Sequence, residues 1–256
     1  MKERADATMI KKYLSDYAQN IKTEIVASID STNDEMKRRA AKGEAEISLL
    51  IAEEQTHGKG TKGRSFFSPD ATGIYMSLLL RPAFSPQQCT LFTTMAAVST
   101  AVAIEKVTGR SPRIKWVNDI YLDGKKAGGI LTQSHLTENG KAVEWVVVGI
   151  GINLSEPNGG FPAELTGIAT TVGKEDTCIK NRLIAEIVNE FVFRYRSFPQ
   201  TDFIAEYSER LLGLHEEITV TDADGEYNGK IIGIDAQCHL RIRLPDGREK
   251  ILLSAF

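Results

Sequence analysis

The sequence predicts an α+β chain: one antiparallel or mixed sheet with helices packed on it, followed by a small all-β unit. Three observations predict this. The 256 residues are 42% hydrophobic and 25% charged, which is ordinary globular usage and excludes collagen-like, coiled-coil and wholly disordered chains. Two tight-turn signals, Asp123-Gly124 and Asn139-Gly140, join the runs Ile120–Leu122, Gly128–His135 and Val143–Leu154 into an antiparallel meander. After Gly213 the pattern changes to short strands, Glu217–Val220, Tyr227–Ile234, His239–Leu244 and Glu249–Leu253, with turns at Asp224-Gly225 and Asp246-Gly247. The expected division is 1–213 and 214–256.

The remaining elements follow in order. A short helix opens the chain, and Lys22–Ile29 reads as a strand. Asp30-Ser31-Thr32-Asn33 opens a polar helix that ends near Gly43, with Thr32 and Glu35 spaced as a capping box. Ile47–Glu53 and Gly73–Leu80 are apolar strands. Ser85-Pro86 starts one long buried helix that Gly109 closes. Arg113–Val117 is a strand, Ile179–Phe198 a helix that stops before Pro199, and Phe203–Leu212 a shorter helix. Between them, 155–180 is a long polar loop of the kind that often carries function.

Several function classes fall away. A net charge of -3 argues against a protein that mainly wraps nucleic acid. Cys89, Cys178 and Cys238 are far apart, which fits reduced thiols and neither a disulfide framework nor a zinc site. The N-terminus has no apolar core of a secretory signal. Cys89–Ile104 carries no charge, but it is shorter than a membrane span and holds several Thr and Ser, so it reads as a buried helix. The expectation is a cytoplasmic protein without membrane contact.

Four segments can carry chemistry. In Gly58-Lys59-Gly60-Thr61-Lys62-Gly63-Arg64-Ser65, three glycines let the backbone approach a ligand and aim N–H groups at an anion, and three cations add charge. The spacing nearly matches a P-loop, but the extended Phe66-Phe67-Ser68-Pro69 follows where a helix is required. Lys115-Trp116-Val117-Asn118-Asp119 sets a lysine at a strand end beside an amide–carboxylate pair, suited to neutralising a phosphate or a developing acyl phosphate, or to an ordinary turn. Gly149-Ile150-Gly151-Ile152-Asn153 is a GxG at a strand end, without the helix of a dinucleotide fold, where a ring can pack on the backbone or a bulge can sit. Ser31-Thr32-Asn33 caps a helix and can also hold a polar ligand at the helix N-terminus.

Taken together, IDSTNDEMK, AEEQTHGKGTKGRSFFSP, GIYMSLLLRP, IKWVNDIYLDGKKAGGIL and VVVGIGINL, in this order and at these separations, resemble the biotin–protein ligases, strongly over Ile25–Leu154. The resemblance implies a catalytic domain similar to class II aminoacyl-tRNA synthetases and a small SH3-like C-terminal β-barrel. It implies activation of biotin by ATP and Mg2+ to biotinyl-5′-adenylate, then transfer to a lysine of a biotin carboxyl carrier protein, usually of acetyl-CoA carboxylase. It assigns Ser31, Thr32 and Asn33 to biotin's ureido ring and Gln55 to the strand end by the biotin carboxylate. Lys59, Gly60 and Thr61, with Gly58, Lys62, Gly63 and Arg64, become the loop over biotin and the adenylate. Phe66 is placed near the adenine and Lys115 on the biotin carboxylate and α-phosphate. Asn118 and Asp119 shape that site, Lys126 is a second lysine in it, and Asn153 holds the nucleotide or its magnesium. No fixed protein ligands to a metal are expected.

Two departures from the family pattern stand out. Thr61 replaces an arginine that contacts phosphate in relatives, which predicts weaker retention of the adenylate unless Lys62 or Arg64 substitutes. Val117 replaces a proline. Lipoate–protein ligase and a non-catalytic biotin-binding module are the competing readings. Ser31 lies only thirty residues from the first residue, so no DNA-reading domain is expected before it. The oligomeric state stays open, a homodimer included.

Overall fold

The structure is a computed structural model and describes residues 2–173, 178–200, 202–222 and 225–253. Part of the expected 155–180 loop, Asp224 of one expected turn, and the last three residues lie outside the described residues.

A short helix α1 (Ala7–Tyr13) precedes β1 (Lys22–Ile29), helix α2 (Thr32–Ala41) and β2 (Ser48–Gln55). Because α2 is a crossover, β1 and β2 pair in parallel. β3 (Gly73–Leu80) then runs antiparallel to β2. Next come α3 (Pro86–Cys89), α4 (Phe92–Thr108), β4 (Arg113–Lys115), β5 (Asp119–Leu122), β6 (Lys125–Leu136) and β7 (Val143–Asn153). The seven strands form one mixed sheet in the order β1-β2-β3-β7-β6-β5-β4. The Asp123-Gly124 and Asn139-Gly140 turns lie where the sequence puts them, with φ of 50° and 76° in the first and +67° at Gly140.

Every residue of β3 is buried, so the strand shows no alternation: both faces of the sheet are covered at its centre. On one side α4 and α5 (Lys180–Ser197) bury Ile74, Met76, Ile150 and Ile152 in the main core. On the other, Met36 and Ala40 of α2 rest on Leu50, Leu79, Trp145 and Val147. This second, smaller cluster leaves the rest of that face to the candidate site.

Two expectations need correction. The helix predicted from Ser85 to Gly109 is two helices. Ser85 and Gln88 form a complete capping box on α3, which ends at Cys89; α4 starts at Phe92 and ends on Gly109 at φ +70°. The stretch Pro86–Thr108 is apolar enough to cross a membrane, yet two-thirds of its most apolar window is buried in the core. The N-cap of α2 is Ser31, not Thr32: the Ser31 hydroxyl accepts from Asp34 N, which puts Asp34 at the third helical position and Glu35 outside the box. The Thr32 hydroxyl has other partners, described below.

After α6 (Asp202–Arg210), strands β8 (Glu217–Asp222), β9 (Gly225–Ile234), β10 (Leu240–Arg243) and β11 (Glu249–Leu252) form a four-stranded antiparallel meander. The meander, α6 and the link between them all meet the large sheet around Lys115. Trp116 Nε1 donates to Cys238 O at 2.8 Å, Tyr207 Oη donates to Val117 O at 3.1 Å, and Leu212 N donates to Ile114 O at 2.8 Å.

Candidate active site

Register builds the site before any side chain is considered. Lys115 pairs with Asp119, Asp119 with Gly129, Gly129 with Gly151, and Gly151 with Tyr75. Directly opposed residues share a face, so these five lie in one row across four strand gaps. From Lys115 to Gly151 is roughly 14 Å at ordinary strand spacing. The row places a cation and a carboxylate at one end, two glycines in the middle and an aromatic at the other end. The next residues along β7 and β3, Gly149 and Ser77, also oppose each other and face the same way.

Each of three glycines seats one functional group. A Cβ on Gly149 would land on the Asn33 carboxamide, one on Gly151 would lie 2.8 Å from the Phe66 ring, and one on Gly129 would lie 3.2 Å from Asp119 Oδ1. The sequence anticipates a ring on the Gly149–Gly151 strand end, and that ring is Phe66. The seat at Gly129 was not anticipated.

Asn33 stands one helical turn before Met36, on the stripe that packs α2 to the sheet, and so reaches the sheet centre. Its Nδ2 donates to Leu131 O at 3.0 Å and Gln133 Oε1 at 3.2 Å. The hydroxyl of Ser77 lies 2.6 Å from Asn33 Oδ1 and 2.8 Å from Thr32 Oγ1. Thr32 in turn donates from N and Oγ1 to Gln55 Oε1, at 2.9 and 3.1 Å. Gln55 Nε2 donates to Ser68 Oγ at 3.0 Å, and Ser68 donates to Phe66 O. Ser31, Thr32, Asn33 and Ser77 are all at most 4% exposed. The structure therefore brings Thr32, Asn33, Gln55 and Phe66 into one network, with Ser31 beside it as the cap of α2. Ser77 and Ser68 belong to it and were missed; a lone serine inside the apolar run GIYMSLLL was the available signal.

The basic loop closes on itself. Lys59 bridges to Ser65, Gly60 N donates to Arg64 O at 2.7 Å, and the chain reverses at Lys62 and Gly63 with φ of 56° and 74°. Gly58 has no room for a Cβ against Phe66 O and Ser68 Oγ. Lys59 Nζ is 2.5 Å from Asp34 Oδ2, in the first turn of α2. The loop thus borrows an acid from outside the segment, a partner invisible to local reading. Partial burial pushes the Asp34 carboxyl up, but hydrogen bonds from Lys37 and Lys59 outweigh it, so its pKa lies below the ordinary aspartate value. The Arg38 guanidinium on Asp30 holds that carboxyl at about 2 and fixes the turn into Ser31. Arg64 folds back onto Thr61, with Nε 3.3 Å from Thr61 O and Nη2 3.1 Å from Thr61 Oγ1.

At the other end of the row, Lys115 is exposed and its Nζ lies 5.9 Å from the Tyr121 ring centroid. Lys126 Nζ is 2.7 Å from Asp119 Oδ1, and this pair covers Gly129. Burial, and next the charge of Asp119, raise the Tyr121 pKa, and Arg64 opposes them, so the loop arginine acts electrostatically on this end too. Asn118 is a tie: it is 8% exposed and donates to Ile130 O at 2.8 Å. Asn153 donates to Thr170 O at 3.2 Å and anchors the following loop, whose backbone also bonds Lys126 in both directions. Among the described residues no group of three His, Cys, Asp or Glu side chains is placed to hold a metal.

Oriented donors, five cations (Lys59, Lys62, Arg64, Lys115 and Lys126) and a glycine floor suit a ligand with an anionic group at the lysine end and a planar polar head at the Asn33 end. Comparisons with known proteins identify the family. Residues 25–153 match the biotin/lipoate A/B protein ligase family, and residues 213–254 match the biotin protein ligase C-terminal domain. The chain is 33% identical to a bifunctional ligase/repressor BirA of Bacillus spizizenii, over 89% of this chain and 70% of that protein. It is 29% identical to a biotin–[acetyl-CoA-carboxylase] ligase of Paracoccus denitrificans, over 89% and 96%. A biotin protein ligase from Aquifex aeolicus, solved with biotin and ATP, superposes with a TM-score of 0.75 at 26% identity, covering 91% of this chain and 96% of that one. The chain belongs to the biotin/lipoate A/B protein ligase family, among its biotin–protein ligases.

Proposed function

We propose that this protein activates biotin with ATP to biotinyl-5′-AMP and transfers the biotinyl group to a lysine of a biotin carboxyl carrier protein. The observation that carries the reading is the register row: a cation, a carboxylate and a glycine floor in line on one face, with the Thr32–Asn33–Gln55 network beside it.

In the first step a carboxylate oxygen of biotin attacks the α-phosphorus of ATP and pyrophosphate leaves. The carboxylate is already ionised at neutral pH, so no general base is needed. What the step requires is two anions held together against their repulsion. Lys115 supplies charge at the reacting centre, and Lys59, Lys62 and Arg64 with the loop's backbone N–H groups surround the phosphates. Ser31, Thr32 and Asn33 hold the ureido head, and Gln55, bonded to Thr32, stands by the biotin carboxylate. In the second step a neutral carrier lysine attacks the acyl carbon, AMP leaves, and the lost proton passes to a carboxylate, a role this reading gives to Asp119. Asn153 would share with the triphosphate in holding a magnesium ion, which would supply charge neutralisation there. The domain division at 213–214 and a cytoplasmic setting, where ATP and carboxylases coexist, belong to the same reading.

The reading is tested by incubating the protein with biotin, Mg·ATP and a purified biotin carboxyl carrier domain, and locating the added mass by peptide mass spectrometry. One biotin amide on one carrier lysine is expected, reduced at least about 100-fold in Lys115→Ala, on the scale of removing one charge-stabilising group. Undiminished labelling by Lys115→Ala removes the lysine's role; labelling with lipoate and not biotin moves the protein to the lipoate branch of the family.

A further inference from the structure

The hydrogen bonds of the segment before α1 go to the start of α5, to β2 and to two loops that border the site. Five consecutive residues take part. Lys2 Nζ donates to Glu156 O at 2.8 Å, in the loop that follows Asn153. Glu3 accepts from Lys180 N at 2.7 Å and Asn181 Nδ2 at 2.8 Å, and so caps α5. Arg4 makes a two-point contact with Asp70, at 3.0 and 2.6 Å, two residues beyond Ser68. Ala5 N donates to Glu53 Oε1 at 2.6 Å, in β2 two residues before Gln55. Asp6 N donates to Asn181 Oδ1 at 2.7 Å.

The anchor beneath this segment is strong. Glu53 and Lys180 form an ion pair at 2.6 Å, with side chains 4% and 0% exposed. A pair this buried persists only when its other lone pairs are satisfied, and the Ala5 amide meets that need for Glu53. Above this anchor, Lys2 and Arg4 line a cavity of about 570 Å³ together with Phe67, Asp70, Thr72 and Phe161. Thr72 O accepts from both Leu154 N and Ser155 N, so the two loops facing this cavity are already tied at its base.

We propose that Lys2–Asp6 is a positioning strap for the nucleotide half of the site, with Arg4 as its specific positioning residue. The proposal rests on the reading above as a biotin–ATP ligase. The strap fixes the end of the basic loop, through Asp70, against the loop after Asn153, through Glu156. Those are the loops that border Lys59–Arg64 and Asn153. The biotin wall, Ser31–Asn33, is held by its own network and by Ser77, and the strap's contacts stop two residues short of that network, at Glu53 and Asp70.

The test is a charge reversal and its compensation. Arg4→Glu is expected to raise the KM for ATP about threefold to tenfold, the scale of one lost charge-assisted contact, with the KM for biotin and the melting temperature nearly unchanged. Arg4→Glu/Asp70→Arg is expected to return the ATP KM toward the parent value. An unchanged ATP KM, an equal rise in both KM values, or no compensation overturns the proposal. Hydrogen exchange over residues 154–162 gives a readout independent of turnover: Arg4→Glu speeds it if the strap holds that loop, and unchanged exchange overturns the proposal. A parent protein without biotin-dependent turnover sinks the ligase reading instead, and the exchange measurement still decides the strap.

Discussion

At the residue scale, the departure at Thr61 acquires a physical account. Threonine cannot carry the charge of the arginine that the family pattern has there. It does hold the Arg64 guanidinium by its hydroxyl and its carbonyl. Arg64 in turn bears on Tyr121, at the lysine end of the row. A neutral hydrogen bond of this kind is worth about 0.5–1.5 kcal/mol, and one to a charged group about 1.5–3. Thr61→Val keeps the shape and removes the hydroxyl. It is expected to release biotinyl-adenylate severalfold faster than the parent, with Thr61→Ser close to the parent. Thr61→Arg is expected to retain the intermediate better than the parent. Stopped-flow or filter-binding release of the adenylate checks this; equal release from Thr61→Val and Thr61→Ser contradicts the account of Arg64.

At the element scale, the strand β7 is shaped by what must rest on it. Gly149 and Gly151 lie two residues apart, but their occupants differ in freedom. Asn33 is held from three sides by Leu131, Gln133 and Ser77, whereas Phe66 is half-buried. Gly149→Ala therefore displaces a side chain with several buried hydrogen bonds and is expected to cost about 1–3 kcal/mol and to raise the KM for biotin. Gly151→Ala pushes a ring that can swing and is expected to cost less and to act mainly on the nucleotide. Thermal melts and separate KM values for the two substrates distinguish them; equal effects contradict the seating. The sequence shows these strands well, since β1 and β3 have the limits that their apolar runs and turn signals predict. It shows the cap of α2 one residue late, because serine and threonine are adjacent and only the tertiary partners, Gln55 and Ser77, decide which hydroxyl is free to cap. It shows the long helix without its break, which no local proline or glycine marks. The row itself is not readable, because register depends on the β3–β7 pairing and on the irregularity at Ile120–Tyr121, both set by distant packing.

At the scale of the whole molecule, the Lys115 segment is held from outside the large sheet. Its neighbour Trp116 is bonded to Cys238 in the β meander, at a residue with φ +60°, and Val117 accepts from Tyr207. Trp116→Phe removes the donor and leaves a buried carbonyl alone, which is expected to cost about 1–2 kcal/mol. For a chain of this size that is a drop of roughly 2–8 °C in melting temperature. An unchanged melt contradicts the coupling of the two sheets through this bond. The central claim is broader: this face of the sheet joins a carboxylate to a nucleotide phosphorus. Biotin-dependent exchange of labelled pyrophosphate into ATP tests it most directly, because it reads the first step without a carrier. The account predicts exchange with biotin, little with lipoate, and loss in Lys115→Ala. Absence of exchange with either acid, from protein that binds biotin, contradicts it and leaves a binding module.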